Sequence, residues 1–421
     1  MPDTLATSPG QARLPARTRV AAALGSAVSA ASLGLGQGGG SVIGGRAILA
    51  VDPDALARLA ALHPVALVSG TNGKTTTTTM VRSALATAGP VVTNVLGANL
   101  PPGLAAALAA GPPGAPAALE VDEAWLGRVV AVAEPRAVAL LNLSRDQLDR
   151  NNEVRQLAQS WRRTFESRQA TVVVANADDP LVAWGAGLAP HVRWVGAGQP
   201  WTDDACGCPA CGGRIRFDDR DGGWACEGCD LRRPPLTVRL DGDTLVGPGD
   251  SRVELCLALP GRANRANAAM ALTVAAVLGA EPATAASAVC ALREVVGRYA
   301  VVQAGRARAR LLLAKNPAGW LEVFDVLRPA PVPVVVAINA RVADGKDPSW
   351  LWDVPFERLR GRLVVASGER SRDLAVRLHY AGVEHVREPD PVAAIEAAGA
   401  TEVDVVANYT SFQVLRARLA R

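Results

Sequence analysis

Lysine occurs three times in this 421-residue chain and arginine forty-one times. Each lysine falls in a short segment whose neighbours could do chemistry. Lys74 lies in Gly70-Thr71-Asn72-Gly73-Lys74-Thr75-Thr76, Lys315 in Ala314-Lys315-Asn316-Pro317, and Lys346 in Asp344-Gly345-Lys346-Asp347. A compact ammonium does a different job from a planar guanidinium, so the placement of the lysines carries the information. The first segment follows the apolar run 65–69 and precedes a stretch of helical spacing, 75–88. Glycines let backbone N–H groups turn inward, and the helix that follows presents its positive end to anionic oxygens. Lys74 would reach the β- and γ-phosphates of a nucleotide and the Thr75 hydroxyl would ligate Mg²⁺. Gly70, Thr71, Asn72, Gly73, Lys74, Thr75 and Thr76 are therefore the candidate ATP loop. The strict motif has a glycine where this chain has Val68, which makes the loop a variant form.

A nucleotide-bound Mg²⁺ needs a further carboxylate. Glu120 closes the apolar run 117–120 and would stand at the carboxyl end of a strand, the edge where ligands collect in open α/β sheets. It is favoured over its neighbours Asp122 and Glu123. Lys315 could help at the γ-phosphate or at a substrate carboxylate, or simply sit at the start of a helix.

Five of the seven cysteines crowd between 206 and 229. Cys208-Pro-Ala-Cys211 and Cys226-Glu-Gly-Cys229 form two C-x₂-C pairs, each able to place two thiolates on a tight turn. Four sulfurs predict a closed, structural Zn²⁺ site, with Cys206 as an alternative to Cys208. Cys256 and Cys290 stand alone in apolar surroundings.

These residues need a frame to hold them. Apolar runs at 65–69, 117–121, 137–143 and 171–175, separated by segments of helical character, predict a parallel sheet covered by helices. The segment 201–235 interrupts that alternation as a small inserted module. Strand-like runs resume at 236–240 and 253–259, and helices are expected over 264–278 and 282–292. A second alternating block has strands at 309–313, 332–338, 363–367 and 403–407. The expected organisation is an N-terminal arm with a short helix (1–50), a central P-loop domain (51–296) and a smaller α/β domain (297–421).

A net charge of +4 does not call for nucleic acid, and residues 214–232 carry at least as many acids as bases. No segment is long and apolar enough to span a bilayer. The stretch 20–35 behind Arg13, Arg17 and Arg19 faintly resembles a secretory signal, but a phosphate loop and clustered thiols favour the cytosol.

The ATP loop resembles that of the Mur ligases. Asn142-Leu-Ser-Arg145-Asp146-Gln147-Leu-Asp149-Arg150 is similar to the family's Asn-Leu-x-x-Asp-His-Leu-Asp element. Gly261-Arg-Ala-Asn264-Arg-Ala-Asn267 resembles its Gly-x-x-Asn-x-x-Asn helix start, and Gly297-Arg298 the pair that opens its C-terminal domain. The resemblance implies a Mur-ligase-like central P-loop ATPase domain with an inserted zinc ribbon, and a smaller C-terminal Rossmann-like domain. It also implies that Asn267 faces adenine and that Arg298 contacts nucleotide phosphate. Three departures stand out. Gln147 replaces the histidine. No lysine lies between Lys74 and Lys315 to serve as the carbamylated lysine of many members. The first fifty residues are too few for the usual UDP-sugar domain.

The cysteine insert, Lys315-Asn316-Pro317, Asn408-Tyr409-Thr410 and Asp344-Gly-Lys-Asp347-Pro-Ser-Trp350-Leu-Trp352-Asp353 resemble one branch of the family, the ATP-binding subunits of lipid II isoglutaminyl synthases. That branch implies a carbon–nitrogen ligase of peptidoglycan synthesis with ATP, Mg²⁺ and Zn²⁺. Its partner is a GatD-type glutaminase, and its substrate is lipid II at the inner face of the membrane. Asp347 would complete the partner's Cys–His pair as a catalytic residue beside Lys74; read alone, its segment is also an ordinary surface turn. Trp350 and Trp352 could anchor that interface, or belong to a half-buried strand. The expected chemistry is activation of the D-isoglutamate α-carboxylate as an acyl phosphate and its displacement by ammonia. The rival readings are an amino-acid ligase of the folylpolyglutamate type without a glutaminase, and a zinc-ribbon ATPase acting on nucleic acid.

Overall fold

A computed structural model describes residues 14–34, 41–94, 97–145, 154–198, 201–218, 223–295, 298–341 and 344–419. Among them, no helix is long and apolar enough to cross a membrane. The chain begins with a helical hairpin, α1 (Ala16–Gly34) and α2 (Ser41–Val51), followed by the short α3 (Ala55–Ala60). The N-terminal arm is therefore more helical than expected, with a second helix where the sequence reading had none.

β1 (Val65–Ser69) is buried at all five positions, the pattern of a strand covered on both faces. The glycine loop leads into α4 (Lys74–Leu85), and α5 (Pro101–Ala110) precedes β2 (Ala117–Glu120). Then come α6 (Leu126–Ala133), β3 (Ala137–Leu140), α7 (Val154–Phe165), β4 (Val172–Asn176), α8 (Pro180–Ala186) and β5 (Val192–Gly196). The insert contributes the hairpin β6 (Ile215–Phe217) and β7 (Trp224–Cys226). β8 (Val238–Asp241), β9 (Thr244–Val246) and β10 (Arg252–Glu254) complete a sheet of order β10-β9-β8-β5-β4-β3-β1-β2. The sheet is parallel from β2 to β8, while β9 and β10 run antiparallel to their neighbours. This antiparallel edge departs from the wholly parallel expectation. The run expected over 253–259 yields a strand of only three residues, Arg252–Glu254.

α9 (Arg262–Val277) and α10 (Pro282–Cys290) cover one face with α4, packing Met80, Val81, Met270 and Val274 against Val68 and Ala139. The other face buries Leu67, Leu119, Val138 and Val173 under Trp161 and Phe165 of α7 and under the N-terminal helices. Cys256 and Cys290 look isolated in sequence but are neighbours here: burial pushes the Cys290 thiol up, partly offset by the Cys256 backbone N–H.

The second sheet has the order β11-β12-β16-β13-β14-β15. Its elements are β11 (Tyr299–Ala304), β12 (Ala307–Leu313), α11 (Pro317–Phe324), β13 (Val334–Ala337), β14 (Val364–Ser367), α12 (Ser371–Tyr380), β15 (His385–Arg387), α13 (Pro391–Ala397), β16 (Glu402–Ala407) and α14 (Tyr409–Leu419). All its pairs are parallel except the β11–β12 hairpin.

Register brings the chemistry to one edge. Val68 pairs with Glu120 and Ser69 with Leu140, so the glycine loop, Glu120 and Asn142 emerge together. In the second sheet Leu313 and Ala337 both pair with Ala407, which gathers Lys315, Asn339 and Asn408.

Candidate active site

The glycine loop is tied down at several residues. Gly70 and Gly73 have φ of 147° and 84°, the left-handed region that glycine tolerates. A Cβ at Gly73 would come within 2.6 Å of the Asn267 amide oxygen, and one at Gly70 within 2.9 Å of Leu141. The Thr71 hydroxyl donates to the Ser144 carbonyl at 3.1 Å and accepts from the Ser144 N–H at 3.0 Å. Asn142 accepts from the Asn72 N–H at 2.9 Å and donates to its carbonyl at 3.1 Å. The loop is therefore preorganised by the segment that follows β3.

Lys74 is buried. Its Nζ donates to the Gly70 carbonyl at 2.5 Å, the Thr71 carbonyl at 3.3 Å and Glu123 at 2.9 Å. Burial works against the Glu123 charge, but Lys74 and then Lys315 outweigh it and hold this carboxyl below the ordinary glutamate value. Asp122 moves the other way, pushed up by burial and by Glu123. Thr75 donates to Glu120 at 2.8 Å and accepts from Arg298 at 3.3 Å. Two ligands on adjacent octahedral positions, each about 2.1 Å from Mg²⁺, stand about 3.0 Å apart. The Thr75 and Glu120 oxygens fit that spacing.

The second domain closes over this loop. Asn316 caps α11 by accepting from the Gly319 N–H at 2.8 Å. Its amide also pairs reciprocally with that of Asn72, both contacts at 3.2 Å. A cleft between the domains is lined by Asn72, Gly73, Thr76, Asn267, Arg298 and Lys315, among others. Six of the ten residues expected to hold a nucleotide therefore line one space. Asn267 also accepts from Thr77 at 3.2 Å. Asp146, Gln147, Asp149, Arg150 and Gly297 lie outside the described residues.

Glu322 on α11 is a site residue the sequence did not announce. It lines this cleft and the cavity beside it. Burial pushes its carboxyl to about 7 despite the nearby Arg262 and Arg298. Nothing in its sequence neighbourhood marks it; it reaches a cavity that α11 and α9 line together.

The four predicted thiols come together, and Cys206 stays outside the cluster. The sulfurs of Cys208, Cys211, Cys226 and Cys229 all lie within 4.8 Å of one another. Cys208 and Cys229 are 3.7 Å apart, Cys211 and Cys226 3.5 Å. A tetrahedron with metal–sulfur bonds of about 2.3 Å has edges of about 3.8 Å, so the donor set fits zinc. The Gly213 and Gly228 N–H groups donate to Cys211 and Cys226, each at 3.3 Å. The Gly228 contact leads in holding the Cys226 thiol at about 7, below its ordinary value. The insert docks through the Trp224 indole, which donates to the Ala177 carbonyl at 2.9 Å.

Asp344 and Asp347, three residues apart, have different fates. Asp344 is buried and accepts from the Thr410 N–H at 2.9 Å and from the Thr410 hydroxyl, fastening the loop to α14. Asp347 is exposed, its carboxylate held by the Ser349 N–H at 2.8 Å and the Ser349 hydroxyl at 2.9 Å. Trp350 and Trp352 lie on a 3₁₀ turn, Ser349–Trp352, which replaces the strand alternative. A crevice beside this loop is lined by Arg145, Lys315, Asp347, Trp350 and Asp353, and shares Lys315 with the cleft. Arg145 spans it, pairing with Asp204 of the insert and with Asp353 at 3.6 Å.

Comparison with known proteins agrees with this geometry. Residues 68–199 match the Mur ligase middle domain, and residues 313–412 the MurT ligase C-terminal domain. The chain is 29% identical over 416 residues to the lipid II isoglutaminyl synthase (glutamine-hydrolyzing) subunit MurT of Streptococcus pneumoniae, covering 91% of this chain and 93% of that protein. It is 29% identical to the same subunit of Staphylococcus aureus, covering 82% and 84%. The chain belongs to the Mur ligase family, in its MurT branch. Solved Mur ligase structures share the fold at low identity. A pseudomurein peptide ligase type C from Methanothermus fervidus superposes with a TM-score of 0.67 at 18% identity, covering 84% of this chain and 78% of that one. MurF from Acinetobacter baumannii gives 0.64 at 15%, covering 89% and 80%. The Mur ligase fold accounts for the two sheets and the cleft between them.

Proposed function

We propose that this chain is the ATP-dependent, acyl-activating subunit of a lipid II isoglutaminyl synthase. It amidates the α-carboxylate of D-isoglutamate in lipid II, with ammonia released from glutamine by a GatD-type subunit. The reading rests on one arrangement: a preorganised glycine loop with a buried lysine, joined through Lys315 and the Arg145 crevice to a loop that presents an exposed aspartate. The likeness to MurT subunits along nearly the whole chain supports it.

The nucleotide's phosphates fit the amides of Gly70–Thr76, with Asn267 toward the base and Arg298 toward the phosphates. Lys74 swings from Glu123 to the transferring group and offsets its charge. Thr75 and Glu120 would hold Mg²⁺, which supplies charge neutralisation when bound. The substrate carboxylate attacks the γ-phosphorus, an acyl phosphate forms and ADP departs. Ammonia then adds to the acyl carbon and phosphate leaves. Lys315, at the mouth of the cleft and of the crevice, suits the carboxylate or the γ-phosphate.

Asp347 orients the partner's histidine, which activates its thiol. Asp344 is already engaged by Thr410 and stays structural. Zinc held by Cys208, Cys211, Cys226 and Cys229 in a ribbon-like insert is structural, since four sulfurs leave no open position. The C-terminal domain, with its Rossmann-like order of parallel strands, carries the partner face. The enzyme works in the cytoplasm against the inner face of the membrane.

Asp347→Asn tests the reading in the assembled complex. Glutamine-driven amidation should fall at least a hundredfold while amidation from added ammonium persists. Equal loss of both would place Asp347 in acyl activation and overturn the triad role.

A further inference from the structure

Among the described residues, the N-terminal hairpin leaves an apolar face uncovered although its inner face is tightly packed. A Cβ at Gly25 would come within 2.4 Å of Ile48, one at Gly44 within 1.9 Å of Ser29, and one at Gly45 within 1.8 Å of the Pro102 carbonyl. α1, α2 and α5 are therefore interlocked through glycines. Buried Asp52 accepts from Thr18 at 2.6 Å and from Arg58 at 2.7 Å, pinning the base of the hairpin. The hairpin is fixed, and its outer side is not awaiting a place in the core.

That outer side is apolar. At about 100° per residue, Val20, Ala23, Leu24, Ala27 and Ala31 fall within an arc of about 100°, and all are exposed, Val20 by 61%. Leu33 of α1 and Val42 and Ile43 of α2 are further exposed apolar side chains of the hairpin. Arg17 and Arg19 border the stripe on its two sides by the same geometry, and Arg46 projects from α2. Residues 16–51 hold these three arginines and no acidic residue. Apolar side chains between arginines, with no carboxylate, suit a surface lying in the boundary between anionic headgroups and acyl chains.

We propose that the α1–α2 hairpin docks this chain on an anionic phospholipid bilayer. A second copy of the chain fits less well, because an isologous pairing of this face would set arginines against arginines with no acid between them. The inference deepens the proposed function, on which it rests for the reason to visit a membrane: the substrate is lipid-anchored. The binding surface itself stands on the geometry above.

The test is sedimentation of the full chain with vesicles of phosphatidylglycerol and phosphatidylcholine, against phosphatidylcholine alone. Binding should require the anionic lipid and weaken at 0.5 M salt, roughly, as screening predicts. Each arginine near such a surface contributes about fivefold in affinity, so Arg19→Gln with Arg46→Gln should weaken binding about 25-fold. Val20→Asn with Leu24→Asn should also release the protein, and both pairs should leave amidation of detergent-solubilised substrate unchanged. No binding to anionic vesicles, or binding indifferent to both pairs, overturns the docking role. A dimer in size-exclusion chromatography that the Val20/Leu24 pair dissolves would assign the face to a second copy. Absence of amidation in detergent by the unaltered complex would instead defeat the proposed activity and leave the vesicle result standing.

Discussion

Replacing Lys74 by methionine should do two separable things. Activity should vanish, because no other described ammonium lies inside the glycine loop. Stability should also fall, in a pH-dependent way fixed by Glu123. Both side chains of the pair are nearly inaccessible, 7% and 5% exposed, so solvent screening does little for a carboxylate left behind. Without Lys74, burial dominates and Glu123 takes up a proton rather than remain charged. Forcing that proton on costs about 1.4 kcal/mol for each pH unit above the ordinary glutamate value, which is 4.5. The ceiling is then about 3.4 kcal/mol at pH 7 and about 0.7 kcal/mol at pH 5. Lys315 remains nearby and offsets part of it, so about 2–3 kcal/mol is expected at pH 7.

The signs are opposite in the two proteins. In the native chain the Glu123 carboxyl is held below its ordinary value, so its stabilisation is present above about pH 4.5 and is lost as pH falls through the folded value. In Lys74→Met burial raises it, so the variant loses stability as pH rises. The gap between the two should widen from pH 5 to 7. Adding Glu123→Gln to Lys74→Met should restore most of the melting temperature without restoring activity. The assay is thermal unfolding without nucleotide at pH 5, 6 and 7 for all four proteins of the cycle, beside ATP-dependent amidation. A stability loss that is flat with pH, or that Glu123→Gln fails to repair, would refute the buried pair as the source of the effect.

Further outcomes follow from other parts of the site. Cys211→Ser should abolish stoichiometric zinc in the purified chain and destabilise the insert; full zinc content by metal analysis would point to a different fourth ligand. Glu322, at about 7, should gain its charge between pH 6 and 8, beside a bound triphosphate. ATP affinity by calorimetry should therefore weaken about fivefold across that interval, and Glu322→Gln should flatten the dependence. Arg145→Ala removes the tie between Asp204 and Asp353 and should lower glutamine-driven amidation more than ammonium-driven amidation.

The legible parts of this protein are those where local pattern and burial agree. The run 65–69 is apolar up to Ser69 because both faces of β1 are covered, and β2, β3, β13 and β14 are likewise buried at every position. Short strands escaped notice. β9 has only three residues, and β15 has only His385 half-buried and the rest exposed, while β10 keeps only three residues near the run expected over 253–259. The sequence reading gave α2 no helix of its own, since glycines weaken helix propensity, yet Gly44 and Gly45 are where α2 meets the Ser29 hydroxyl and the Pro102 carbonyl too closely for a side chain.

By itself the sequence determined the glycine loop, the four thiols and the presence of two α/β units. Each is written in contiguous residues whose spacing has one local geometry. Tertiary structure alone decided how the carboxylates divide their work, with Glu120 against Thr75, Glu123 against Lys74, and Asp344 buried where Asp347 is exposed. It also turned Glu322 into the cleft and laid Arg145 across the crevice. Neighbouring acids are chemically alike along the chain. They become different only when strand register and domain packing give each its own partners and its own access to water.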